Sequence, residues 1–190
     1  MLKTIEITIG KQRYQISNGV TLEEIASQFQ KEYKYPILIA RVNNELEELR
    51  KPITEPATIE FLDLTTREGN RSHISGLTYV LIYAIKRLYG KKANAIIQHS
   101  LDKGIYIESN FKLTAGKVED IKQEMQSIVA SDMPITKMTI DRMEAIEYFE
   151  KMNDYAKAGV MKYNTNPYVT LYRLGNYYNY FYNLMPVSTG

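Results

Sequence analysis

Side chains that could take or give a proton near neutral pH are scarce in this chain: it has two histidines, His73 and His99, and no cysteine. Two imidazoles do not fill a zinc centre, which takes three or four nitrogen or sulfur ligands, so no metal site is expected. Without thiols there is no disulfide and no thiolate nucleophile. Three Gly-Lys pairs, Gly10-Lys11, Gly90-Lys91 and Gly116-Lys117, each lack a glycine five positions earlier and a hydroxyl residue after the lysine. None can build the run of backbone N–H groups that cradles a nucleotide's phosphates. No Gly-x-Ser-x-Gly elbow occurs, and no self-contained catalytic set is expected. His73 reads as decoration of a helix start and His99 as a polar loop residue. What remains is hydroxyl and amide chemistry, dominated by 16 tyrosines, seven of them between Tyr163 and Tyr182. Tyrosines beside lysines can stack on bases, and in β segments they also pack cores and surfaces.

Composition narrows the classes further. Hydrophobic residues at 44% and charged residues at 24% fit a globular protein, and 190 residues suffice for one or two domains with real cores. The net charge of +2 gives weak long-range attraction to nucleic acid. Local basic groups stand at Lys86-Arg87 and Lys91-Lys92, open to reading as a solvated helix end or as a phosphate-binding patch. No window reaches eighteen apolar residues, the first residues lack the apolar run of a secretory signal, and cysteine is absent. A cytoplasmic location with no membrane partner is the expectation.

The elements that must position these residues fall into two groups. In the first, Ile5, Ile7 and Ile9 alternate with polar neighbours as in a half-buried strand. Gly10-Lys11 turns the chain into a second strand over 12–16. Thr21 and Glu24 form a capping-box pattern ahead of Leu22, Ile25, Ala26 and Phe29 at helical spacing. Ile37–Val42, a turn at Asn43-Asn44, Glu45–Leu49 and Thr58–Leu62 complete a β-β-α-β-β-β order, ending the domain at residue 64. Residues 65–71 read as a polar linker. From 72 to 190 an α+β domain is predicted. It starts with an apolar helix over Gly76–Leu88 stopped near Gly90, then strands at Ala95–Ile97 and Gly104–Glu108 around a turn at Asp102-Lys103-Gly104. A helix over Lys117–Ala130 follows, then one opening at Thr139, then strands from Tyr163 onward.

The first order describes a ubiquitin-like β-grasp fold. Gly19-Val20-Thr21-Leu22-Glu23-Glu24-Ile25-Ala26, followed by the Ala40–Asn44 strand and turn, resembles the TGS domain of threonyl-tRNA synthetases, some GTPases and stringent-response synthetases. The second domain resembles the editing domain of threonyl-tRNA synthetases. Ser75-Gly76-Leu77-Thr78-Tyr79 leads into Ala84-Ile85-Lys86-Arg87-Leu88-Tyr89, where those enzymes carry His-x-x-x-His before an Ala-Ile-Lys-x-Leu-aromatic helix. Asp102-Lys103-Gly104-Ile105-Tyr106 is similar to their Asp-Asn-Gly-Phe-Tyr turn. Glu119-Asp120-Ile121 begins a matching helix, and Met143-Glu144-Ala145 stands in their His-Glu-Ala region. Asn164-Thr165-Asn166-Pro167-Tyr168-Val169 stands against Cys-x-Gly-Pro-His-Val. In the family the His, His, Cys, His set gathers in a cleft that removes serine from mischarged tRNA. The resemblance therefore implies a degenerate pocket of Ser75, Tyr79, Asn164 and Tyr168, with His99 as a further candidate, and with the rings of Tyr79 and Tyr168 facing one cleft.

Gln98-His99-Ser100-Leu101-Asp102-Lys103-Gly104-Ile105-Tyr106 is also similar to a His-Ser-Leu-x-Lys-Gly-x-Tyr stretch of a bacterial family. That family joins TGS and synthetase-like domains to a C-terminal nucleoside kinase resembling uridine kinase and phosphoribulokinase. The implied role is a non-catalytic regulatory or RNA- or ligand-recruiting region of such a kinase, cut at its C-terminal end. The chain itself would need no cofactor; ATP and Mg would belong to a kinase domain in cis. Implied partners are RNA or tRNA, or a small nucleoside-like ligand. The rival readings are a tRNA-editing hydrolase and a plain tRNA-binding module.

Overall fold

Alternation sets the first sheet. In β1 (Thr4–Ile9), Ile5 and Ile7 are buried while Thr4 and Glu6 face solvent, so one strand face supplies core and the other stays wet. The structure, a computed structural model, describes residues 4–101 and 104–190, the side chains of 98–101 excepted. It comprises two units, Met1–Gly76 with Tyr182–Ser188, and Leu77–Phe181 with Thr189–Gly190. Among the described residues no helix is long and apolar enough to cross a membrane.

The first unit is a five-stranded sheet. β1 pairs antiparallel with β2 (Gln12–Ser17) and parallel with β5 (Ala57–Leu62), which pairs with β3 (Ile39–Val42), which pairs with β4 (Glu45–Glu48), giving the order β2-β1-β5-β3-β4. Asn43 and Asn44 take φ of 47° and 70° between β3 and β4, the left-handed pair that a two-residue hairpin turn needs. Helix α1 (Leu22–Phe29) has the full capping box. Thr21 Oγ1 accepts the Glu24 N–H, and the Glu24 carboxylate accepts the Thr21 N–H at 2.8 Å. Two further N–H groups of its first turn, on Leu22 and Glu23, donate to the carbonyls of Lys51 and Leu49. Leu22, Ile25 and Ala26 thereby sit in one core with Ile7, Ala40, Ile59 and Phe61. Each such buried large side chain contributes about 1.5–3 kcal/mol.

The polar stretch 65–71 is mostly helix rather than linker. Asp63 accepts from the N–H and hydroxyl of Thr65, Thr66 Oγ1 takes the Gly69 N–H at 3.1 Å, and α2 (Arg67–Tyr89) begins there. Thr66 is thus an N-cap, hidden among residues that read as loop by composition. The two-unit division falls inside α2, between Gly76 and Leu77.

In the second unit β6 (Ala95–Leu101) and β7 (Gly104–Ser109) form a hairpin with an irregularity between Ile97 and His99. The expected turn at Asp102-Lys103 lies outside the described residues. Helix α3 (Ala115–Ala130) starts at the Thr114 cap and buries Ile121 and Ile128; Ile121 packs with Ile85 and Ala95. The helix expected at Thr139 starts later, because β8 runs Ile135–Asp141 and Asp141 caps α4 (Arg142–Lys151) by accepting the Met143 N–H at 2.7 Å. Helix α5 (Tyr155–Tyr163) was not foreseen. Asp154 caps it, taking both the N–H and the ammonium of Lys157. β9 (Tyr168–Leu174) lies between β8 and β10 (Tyr177–Asn179), all antiparallel. Val169 and Leu171 face Ala145, Phe149, Ala158 and Met161 of the helices.

Candidate functional site

The site has to be built from α2 outward, one unit at a time. In the first unit Ser75 is buried at 5% exposure, and its Oγ accepts from the Asn183 side-chain amide at 3.1 Å. The segment bearing Asn183 is tied down by its backbone. The Met185 N–H donates to Glu48 Oε1 at 3.1 Å, and the Val187 carbonyl accepts from Arg50 at 2.9 Å. Gly76 is required here, since a Cβ would come within 2.7 Å of Pro186 Cγ. His73 is half-buried, and desolvation holds its imidazole below the usual pKa, which favours the uncharged ring.

In the second unit Tyr79 has no surface exposed to solvent. Its hydroxyl lies 2.6 Å from the Tyr172 carbonyl oxygen and 2.8 Å from that of Tyr177. A phenol carries one proton, so the two carbonyls share it. The ring packs 5.1 Å from Phe181 and 6.0 Å from Tyr177. Burial pushes the Tyr79 hydroxyl far above the ordinary tyrosine pKa, with Tyr177 and Tyr148 adding to the rise. Tyr177 is raised by burial too, and Tyr148 is pushed up to about 12, again mainly by burial. None of these phenols can act as a base near neutral pH.

Beside them stands Lys86, 7% exposed, its ammonium donating to the Lys91 carbonyl at 2.8 Å and lying 5.6 Å from the Tyr177 ring centre. Desolvation pulls it down to about 8, Asp154 opposes that fall and Lys157 reinforces it. Asn179 is fully buried. Its Oδ1 accepts the Tyr180 N–H, while its Nδ2 has no partner among the described residues.

The other sequence candidates lie elsewhere, which corrects the expected grouping. Tyr168 is 63% exposed at the first position of β9, opposite Asp141, and makes no described contact with Tyr79. Alternation puts Tyr168 on the same face as the buried Tyr172 and Leu174, so its exposure comes from its place as the first residue of β9, at the end of the sheet. Asn164 is half-buried at the end of α5, where its Oδ1 accepts the Asn166 N–H at 2.9 Å; it is a turn residue. The backbone of His99 pairs with Tyr106, but its side chain lies outside the described residues. Tyr79 is therefore joined by Tyr172, Tyr177 and Phe181, not by Tyr168. Phe181 stands four residues from Met185, as Asn164 does from Tyr168, so spacing alone could not have found this. Among the described residues no group of three or more His, Asp or Glu side chains is placed to hold a metal ion.

No family model matches the chain. It is similar to a threonine–tRNA ligase of Clostridium novyi, 29% identical over 150 residues, 78% of this chain and 23% of that protein. It is similar also to threonine–tRNA ligase 1 of Bacillus subtilis, 26% identical over 179 residues, 93% of this chain and 28% of that protein. A threonine–tRNA ligase of Sulfurihydrogenibium is 24% identical over 181 residues, 91% of this chain. The chain spans about a quarter of the length of the curated relatives it matches. It is homologous, at modest identity, to part of these ligases.

Proposed function

We propose that this chain is a tRNA-recruiting region related to the TGS and editing portion of threonine–tRNA ligases, and that its editing centre has been filled. The observation that carries the reading is the similarity to those ligases along 78–93% of the chain. The sheet order β2-β1-β5-β3-β4 with one capped helix supports a β-grasp TGS-like first unit. In this reading the ring of Phe181, 5.1 Å from that of Tyr79, fills space beside it that the exposed Tyr168 does not.

Hydrolysis of an aminoacyl ester needs a group that activates water near neutral pH. Tyr79 supplies a neutral phenol already committed to two carbonyls, and Ser75 a hydroxyl held by an amide. Neither replaces an imidazole. A nucleoside-kinase domain in cis gains no support from these relatives, and the recruiting role does not require one.

The test pairs binding with chemistry. Threonine-accepting tRNA should bind the chain, and Ser-tRNA should lose its ester at the buffer rate in its presence. Accelerated deacylation that disappears in Ser75→Ala would reverse the second half of the proposal, and absence of any tRNA binding the first.

A further inference from the structure

Charge is distributed unevenly. The segments 86–95 and 109–118 hold six of the chain's 24 basic residues and none of its 22 acidic ones, leaving the other 170 residues at a net −4. Side-chain and backbone contacts bring these two segments together. Asn110 Nδ2 donates to the Lys92 carbonyl at 2.9 Å, its Oδ1 accepts the Asn94 N–H at 2.8 Å, and its own N–H reaches the Asn94 carbonyl. The Tyr89 ring packs 5.1 Å from that of Phe111 at a tilt of 42°, and the Lys117 ammonium lies 5.3 Å from both ring centres while donating to the Lys112 carbonyl.

The resulting surface carries Lys91, Lys92 and Lys112, all exposed, and the half-buried Lys117. Among the described residues none of the four is ion-paired. Other lysines of this unit are: Lys122 with Glu119, Lys151 with Glu147, Lys157 with Asp154 and Lys162 with Glu150. Unpaired ammonium groups on a braced two-loop platform are free to neutralise phosphates, and release of the cations condensed on a polyphosphate is what drives such binding.

We propose that Lys91, Lys92, Lys112 and Lys117 form the surface on which this chain docks the phosphate backbone of duplex RNA. The proposal rests on the tRNA-recruiting reading and names its contact surface. The aromatic pair decides between duplex and single strand. Base stacking needs a free ring face, whereas Tyr89 and Phe111 are engaged with each other and with the Lys117 ammonium. The platform offers charge without a stacking shelf, which suits backbone contact independent of base sequence.

The test is the salt dependence of binding to an RNA hairpin, measured by fluorescence anisotropy between about 50 and 200 mM salt. Each phosphate contact contributes about 0.9 to the slope of log affinity against log salt. Lys91→Gln/Lys92→Gln/Lys112→Gln should therefore lower that slope by about 3 while its far-UV CD spectrum stays that of the parent. The control Lys122→Gln/Lys151→Gln/Lys162→Gln, which removes ion-paired lysines, should leave the slope unchanged. An unchanged slope in the first variant, or an equal drop in the control, overturns the surface but leaves the recruiting reading intact. Preference for an unpaired strand, or for anionic lipid vesicles over the hairpin, overturns it as well. No hairpin binding by the parent chain overturns the surface, and no binding of threonine-accepting tRNA sinks both readings.

Discussion

Replacing Tyr79 by Phe removes one oxygen atom and preserves the ring, so it isolates what the buried hydroxyl does. Two backbone carbonyls, of Tyr172 and Tyr177, lose their shared donor at 2.6 and 2.8 Å. Tyr79 itself is wholly enclosed, so water cannot replace the proton. A buried acceptor left unsatisfied costs about 1–3 kcal/mol, and the aromatic contacts with Phe181 and Tyr177 persist. A loss of about 2 kcal/mol corresponds to a fall in melting midpoint of about 4–8 °C if the chain unfolds as one, and about twice that if the second unit melts alone. Urea unfolding followed by tyrosine fluorescence and far-UV CD measures it, with no tryptophan to complicate the signal. Stability within about 0.5 kcal/mol of the parent, the range of an inert surface substitution, would mean that the hydroxyl does not bridge β9 and β10. The filled-centre reading would fall with it. Tyr79→His puts an imidazole at this place without the phenol's two hydrogen bonds, and should destabilise by at least as much without conferring deacylation.

Lys86 should give stability an unusual pH dependence. Its pKa falls from 10.5 when free to about 8 when folded, so between those values the unfolded chain binds more protons and stability rises with pH. Above about pH 10 the buried tyrosines reverse the trend, because the unfolded phenols ionise while Tyr79 and Tyr177 do not. In Lys86→Met the rise between pH 8 and 10 should vanish; its persistence, in unfolding midpoints taken across that range, would assign it to another group. Gly76→Ala places a methyl 2.7 Å from Pro186 Cγ, and overpacking of about 1–3 kcal/mol should cancel or exceed the gain of about 1 kcal/mol in helix propensity. A net stabilisation of about 1 kcal/mol in urea unfolding would show that the Pro186 ring does not sit against α2.

Local patterns decided much of this protein. The period-two run of Ile5, Ile7 and Ile9, the Thr21 and Glu24 box and the Asn43-Asn44 turn each act within a few residues, and each forms as its chemistry requires. The similarity to part of threonine–tRNA ligases was likewise legible in Ser75–Tyr89. Three things were not. The start of α2 depended on Asp63 and Thr66 bonding across a stretch that looks like linker. Helix α5 hung on the single cap at Asp154, just ahead of the tyrosine-rich run from Tyr163 that reads as strand. Most of all, the partners of Tyr79 depended on pairing over 93 and 98 residues of sequence. Two stretches of the tail offered the same spacing of four, and nothing local ranks Asn164 and Tyr168 below Phe181 and Met185. Only the register of β9 against β8 and β10 separates them. It leaves Tyr168 at a sheet end in solvent and carries the Tyr172 and Tyr177 carbonyls to the one phenol on α2 that can satisfy them.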